Sequence, residues 1–452
     1  MIALPFALLL QITGDMAPVA PGGLEGRPPA AETSPLQARV DRAAPGDTVH
    51  VGPGRYAGDL VLDRPIRLVG QGRPLLVGSG NGSVVRVRAD DVVVEGFDID
   101  GMRGGDLGRD SSGVHVAGRN AVVRDCRISE ALFGIYLRQA DGVCVESCRI
   151  RGIHGKDPGE KGSGLHVWDT KGFVFKDNVI EDVRDGFYIQ SSSGGTITGN
   201  VARDLRYGLH YMFSDDNTFE DNTFENGAAG TALMYSKRIV FRRNRFVRNR
   251  GFASVGLLLK ACDDVLAEDN LIADNARGIF VEGSYRNVFR GNVVALSDAA
   301  IVLYDSCGEN RFEGNSFVGN LTPLALVGRR TDTVFDGNYW SDNGEPDLDG
   351  DGRSDRPFPL SSVFDHLRGN LTAADLFSRS VAARALGAAE RGFPVLRAVE
   401  VFDRAPLARP PALPRGPQPD GPPASRGTLA LAMSGLSLLG GAGILLTGRR
   451  PA

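Results

Sequence analysis

The chain has 452 residues, room for roughly two to four ordinary domains. Its 51 basic and 55 acidic residues leave a net charge of −4, so no positive excess exists to release phosphate counterions, and nucleic-acid binding is excluded as a leading role. At 42 % hydrophobic and 23 % charged it is not a disordered polyelectrolyte. Its 59 glycines, about 13 % against a usual ~7 %, point to many turns and hence to an all-β or repeat architecture.

Residues 1–20 open on an apolar run (MIALPFALLL) followed by small residues at Ala17, Val19 and Ala20, the look of a secretory signal peptide. The alternative is a short buried or irregular N-terminal segment.

From residue 45 to 340 the chain repeats. Short segments end in Asn at 178, 200, 222, 244, 270, 292, 315 and 338, spaced 22, 22, 22, 26, 22, 23 and 23. Two earlier copies carry Cys126 and Cys148 in that place, again 22 apart. A second segment follows each: SGVHV, FGIYL, SGLHV, DGFYI, YGLHY, TALMY, VGLLL, RGIFV and AAIVL. Each copy carries two short β-type runs separated by Gly, Asn and Asp turns. One copy cannot bury its apolar side alone, whereas stacked copies share a continuous core. The expected fold is all-β, a single-stranded right-handed parallel β-helix of about a dozen coils between Thr48 and Trp340. The Asn side chains should form a ladder from coil to coil.

Strand alternation then assigns faces. After each Gly or Ala the first and third residues are apolar and point inward, as in Val114/Val116, Leu165/Val167 and Leu209/Tyr211. The second residue points outward, in a column reading His115, Tyr136, His166, Tyr188, His210, Met234, Leu258, Phe280, Val302. Trp168, Met212 and Tyr304 belong to a second outward column. A solvent face should be charged, so this one reads as a binding surface, or as a face covered by a terminal arm or loop. On that alignment Met234 sits one coil from His210, roughly 5 Å away, and Met212 two residues along the same strand, roughly 6.5–7 Å. Imidazole with soft thioether suits Cu(I) better than zinc or calcium. His166, two coils from His210, is a candidate transfer position.

After the repeat, Asp347, Asp349, Asp351 and Asp355 alternate with Gly350 and Gly352. Hard oxygen ligands in that pattern fit calcium, although the Glu that closes an EF-hand loop is missing; a solvated acidic turn is the plainer reading. Residues 341–410 are expected as a non-solenoid cap and tail. Residues 411–426 are a Pro-rich linker. Residues 427–448 lack any charge and precede Arg449 and Arg450, which fits a transmembrane or sorting segment with the body outside the cytoplasm. The five cysteines contain no close CxxC pair, so a zinc framework is unsupported, and the odd count leaves at least one without an intramolecular mate.

Several of these stretches also carry a family likeness. Residues 206–217 (RYGLHYMFSDDN), 232–236 (ALMYS), 249–251 (NRG), 256–260 (GLLLK), 337–340 (GNYW), 349–352 (DGDG) and 389–394 (AERGFP) come in one order over roughly 45–410. In that order they resemble the NosD family, accessory proteins of nitrous oxide reductase maturation. The resemblance implies a periplasmic, non-enzymatic β-helix; the apolar 427–448 segment, which lies beyond the family pattern, would tether it to the inner membrane. It implies partnership with an ABC transporter permease and ATPase, a copper-chaperone lipoprotein and apo nitrous oxide reductase, in assembly of the catalytic copper–sulfide centre. His210, Met212 and Met234 fall within the matched motifs, and copper is the implied metal. Phe393 and Pro394 fall in the tail that would meet the permease. The competing expectation is a β-helix that binds or modifies polysaccharides. Against it, no outward column stacks several Asp beside a Lys or Arg.

Overall fold

The computed structural model describes residues 35–105, 111–251, 254–328, 330–360 and 401–411, with the isolated positions 380, 381 and 385. The expected signal peptide, the linker, the 427–448 segment and the tail residues Phe393 and Pro394 lie outside the described residues. Among the described residues no helix is long and apolar enough to cross a membrane.

A helix at Pro35–Arg42 comes first and buries Leu36 and Val40. From Thr48–Val51 to Tyr339–Trp340 the chain then winds through three parallel sheets of 13, 13 and 12 strands, contributing one strand to each sheet per coil. This is a parallel β-solenoid. Sequence-adjacent strands never pair within it; each strand pairs with its counterpart one coil earlier and one coil later.

The coil is short because its corners are tight. The residue before each ladder Asn adopts positive φ: Asp177, Gly199, Asp221, Arg243, Asp269, Gly291, Gly314 and Gly337. Asp and Gly are the residue types that tolerate this left-handed conformation best. The following Asn is then buried, and its side chain links the coils. Asn244 Nδ2 donates to Asn270 Oδ1 (3.1 Å) and to the Phe219 carbonyl (2.8 Å), while its Oδ1 accepts from the Asn222 backbone N–H (3.0 Å) and side-chain amide (3.0 Å). The same pattern runs from Asn178 to Asn338. A second, hydroxyl ladder of Thr170, Ser192, Ser214 and Ser236 accepts backbone N–H groups at another corner.

Inside, the apolar residues stack along the coil axis. Val114, Val116, Leu165, Val167, Leu209 and Tyr211 are fully buried, as alternation required. Phe224 stacks on Phe246 at 5.3 Å, Phe289 on Phe312 at 4.3 Å, and Phe317 on Trp340 at 4.1 Å. Such pairs add about 0.5–1.5 kcal/mol each beyond the area they bury.

The far end is closed by the chain itself. Phe402–Asp403 adds a strand beside Val334–Asp336, and Phe358–Pro359 pairs antiparallel with it. Asp403, wholly buried, ends the Asn ladder: its carboxylate accepts from the Asn338 backbone (3.0 Å), the Asn338 amide (2.9 Å) and Trp340 Nε1 (3.0 Å). The described part of the tail therefore packs on the last coil.

Candidate functional site

The 12-stranded sheet carries the outward columns, and its shape depends on a column of glycines. A Cβ on Gly208 would come within 2.5 Å of the Gly230 carbonyl, and one on Gly186 within 2.6 Å of the Gly208 carbonyl. Only glycine allows that approach. The ladder steps over these positions: Asp185 pairs with Tyr207 and Phe187 with Leu209. The residue before each glycine thereby shares a face with the residue three places later. That is why Asp185 and Tyr207 meet His210, and Phe133 meets His166.

The register corrects one sequence expectation. Ala232, not Met234, lies opposite His210; Met234 lies opposite Met212. Gly230, whose added Cβ would sit 2.5 Å from the Gly256 carbonyl, holds the glycine place that Ala232 was expected to hold. The column that starts at His115 therefore reads His115, Tyr136, His166, Tyr188, His210, Ala232, Leu258, Phe280 and Val302. The other column runs Trp168, Gln190, Met212, Met234, Lys260, Glu282.

The aromatic column is not a solvent face. Tyr136, His166 and Tyr188 are buried, and the His210 side chain is 14 % exposed. Tyr136 stacks on His166 at 4.4 Å and 9°, and His166 on Tyr188 at 4.5 Å and 13°. Tyr188 and Tyr207 present their edges to His210. Burial, with help from Arg184, pushes His166 down to about 3; burial and three nearby arginines push His115 down to about 4. Both rings are neutral at neutral pH. His166 Nδ1 and Ser163 Oγ are buried without a hydrogen-bond partner among the described residues.

His210 is the oriented member. Its Nδ1 lies 3.4 Å from Asp185 Oδ2. Asp185 is fully buried and also accepts from Arg206 Nε (2.9 Å), Arg206 Nη2 (2.8 Å) and Arg184 Nε (3.2 Å). Burial opposes its charge, but His210 and Arg206 outweigh burial and hold the carboxyl well below the usual carboxylate range. A carboxylate accepting from Nδ1–H fixes the tautomer and leaves the lone pair on Nε2, the arrangement that metal-binding histidines use. Arg206 is itself stacked over Tyr207 at 4.4 Å. Asp185, Arg184 and Arg206 were missed as site residues in the sequence; the signal was an acid immediately before Gly186, where the neighbouring coils carry Ser163 and Tyr207.

Two residues along from His210, Met212 faces Met234 across one strand spacing, ~4.8 Å. Gln190 bounds this pair on one side and Lys260, paired with Glu282 at 3.3 Å, on the other. His210, Met212 and Met234 thus lie together on one outer surface. His166, two coils from His210, is separated from it by the Tyr188 ring.

The acidic loop is a separate place. Carboxylate oxygens of Asp347, Asp349 and Asp351 come within 4.8 Å of one another. Asp347 already accepts from the Gly350 and Gly352 N–H groups, and Asp355 from the Leu348 N–H at 2.7 Å.

Residues 149–345 match the model of a family described as "Periplasmic copper-binding protein (NosD)". A "Probable ABC transporter binding protein NosD" of Pseudomonas aeruginosa is 37 % identical over 375 residues, covering 79 % of this chain and 87 % of that protein. Its namesake from Stutzerimonas stutzeri is 33 % identical over 410 residues, covering 86 % and 92 %. Among solved structures, the Dettilon tailspike protein matches with TM-score 0.51 at 12 % identity, over 63 % of this chain and 64 % of that one, a likeness of fold alone. With relatives this similar over most of both chains, and with the matched region spanning the His210–Met212–Met234 surface, the chain belongs to the NosD family.

Proposed function

We propose that this protein is a periplasmic copper-handling factor that works beside an ABC transporter, made of a permease and an ATPase, during assembly of the copper–sulfide centre of nitrous oxide reductase. Copper is its cargo, received from a chaperone lipoprotein and passed towards the apo-enzyme. The protein does not itself catalyse a reaction. In this reading His210 Nε2 and the sulfurs of Met212 and Met234 hold Cu(I). Two thioethers and one imidazole form a soft, neutral donor set, which favours Cu(I) over Zn(II) or Ca(II). Their partial burial limits competition from water and from anionic ligands.

The observation that carries this reading is the direct pairing of Met212 with Met234 on the strands that also present His210, whose ring Asp185 orients. His166, neutral and with a nitrogen that has no partner among the described residues, is a second holding position on the same face. The tail residues Phe393 and Pro394 are proposed to meet the permease, and the 427–448 segment to tether the body. The Asp347–Asp349–Asp351 cluster, with Asp355, is retained only as a calcium candidate.

The test is replacement of the native gene by a His210→Ala, Met212→Leu, Met234→Leu triple variant. The reading predicts nitrous oxide reductase that keeps its other copper site and lacks its catalytic centre. A fully metallated enzyme, with the variant present at normal level, would refute it.

A further inference from the structure

The geometry points to a disulfide between Cys126 and Cys148 in the mature protein, a covalent rung at the head of the Asn ladder. The two residues are 22 apart in sequence and occupy the same corner of consecutive coils. The pairing on either side of them is unbroken, Arg124 with Glu146 and Arg127 with Arg149. Residues so placed on adjacent parallel coils have Cα atoms about 4.8 Å apart, inside the 4.4–6.8 Å span that a disulfide requires. All five cysteines are free thiols in the structure, and those of Cys126 and Cys148 are within hydrogen-bonding reach of each other.

The position explains why two sulfurs replace two amides. The Cys148 backbone N–H donates to Asn178 Oδ1 at 2.9 Å, so Cys148 is the first residue served by the amide ladder. A thiol cannot reproduce the amide's two-sided bonding; Cys126 and Cys148 reach backbone carbonyls and each other through weak S–H donors. A covalent bond supplies the inter-coil link that the amide gives elsewhere.

The remaining cysteines have no such mate. Cys262 stands in the hydroxyl ladder, its N–H donating to Ser284 Oγ, and its in-register partner on the preceding coil is Ser236. Cys307 lies beyond Ser284, with its sulfur turned to the Val281 carbonyl. Cys144 lies on the outer side of the first sheet between Val122 and Val174.

The redox balance is simple. Two thiols lose two protons and two electrons as one S–S bond forms. An oxidised carrier of the dithiol–disulfide exchange class takes them up and leaves as a dithiol, by thiolate attack through a mixed disulfide. Such carriers operate in the periplasm. Because Cys126 is 1 % and Cys148 0 % exposed, the exchange precedes closure of the neighbouring coils. The bond would also remove two strong Cu(I) ligands from the protein without touching the imidazole–thioether surface.

The experiment counts thiols in denaturant on the full chain isolated from the periplasm, followed by peptide mapping without reduction. The expected result is three reactive thiols of the five in the sequence, with one linked pair of peptides containing Cys126 and Cys148. Reduction should lower the melting temperature by a few degrees, and a Cys126→Ser, Cys148→Ser double variant should melt lower and no longer respond to reductant. Five reactive thiols in the exported protein, or a bridge that uses Cys144, Cys262 or Cys307, overturns the proposal. Neither result bears on copper binding by His210.

Discussion

Met212 lies directly opposite Met234 on the next coil, two residues beyond His210. The pair is bounded along its column by Gln190 and Lys260, so no other sulfur lies in register with it. Replacing either Met by Leu conserves volume and fold. Each replacement should weaken Cu(I) binding by more than the 10–100-fold typical of losing a residue that merely supports a ligand. The double replacement should cost little more than the worse single one, because both act on one ion. Competition with a Cu(I) chelator measures this.

Asp185 tests orientation rather than ligation. Asp185→Asn keeps the shape but removes the charge shared by His210, Arg206 and Arg184. Copper affinity should fall about 10–100-fold. Leaving two arginines around a neutral buried amide should also cost about 3–5 kcal/mol of stability, read by denaturant unfolding. Retained copper affinity in a folded Asp185→Asn protein would remove Asp185 from the site.

The buried histidines predict a pH dependence. In the unfolded chain His115 and His166 take up a proton near pH 6.5. In the folded chain they do so only near pH 4 and pH 3. Between those limits the unfolded state binds more protons, so stability is full above about pH 6.5 and declines as the pH falls towards 3. His166→Phe should flatten part of that decline. Melting curves from pH 7.5 to 4 check the slope.

The ladder sets a further expectation. Asn244→Ala leaves the Asn222 N–H and the Phe219 carbonyl without their buried partner. That should cost about 1–3 kcal/mol for each orphaned group. At the end of the ladder, Asp403→Ala removes the acceptor for Asn338 and Trp340. Hydrogen exchange should then speed up in the last coil and the Phe402–Asp403 strand while the middle coils stay protected.

The solenoid was legible because its period is enforced by chemistry that appears in every copy. A left-handed corner favours Asp or Gly, with Arg243 the exception among the ladder corners, and a buried link needs Asn, so the pattern recurs about every 22 residues. The interior alternation was equally legible, since Leu209 and Tyr211 have no option but the core. The register of the site was less so. Ala232 resembles the glycine column in sequence, yet only Gly230 fits beneath the Gly256 carbonyl. The nine-residue strand Ala229–Lys237 therefore slides Met234 from His210 to Met212. Asp185 was hidden for a related reason: alternation counts from the glycine and cannot tell that the backbone there turns the preceding side chain onto the same face. The burial of the aromatic column was also beyond the pattern, because alternation does not show that Tyr136, His166 and Tyr188 stack face to face and cover one another.

X-ray absorption at the copper edge of the Cu(I)-loaded protein tests the central claim most directly. The account predicts two sulfur ligands and one nitrogen, with the sulfur signal lost in the Met212→Leu, Met234→Leu variant while the Cys126→Ser, Cys148→Ser variant retains it. A sulfur shell unchanged by the methionine replacements, or one that disappears with the cysteines, would contradict it.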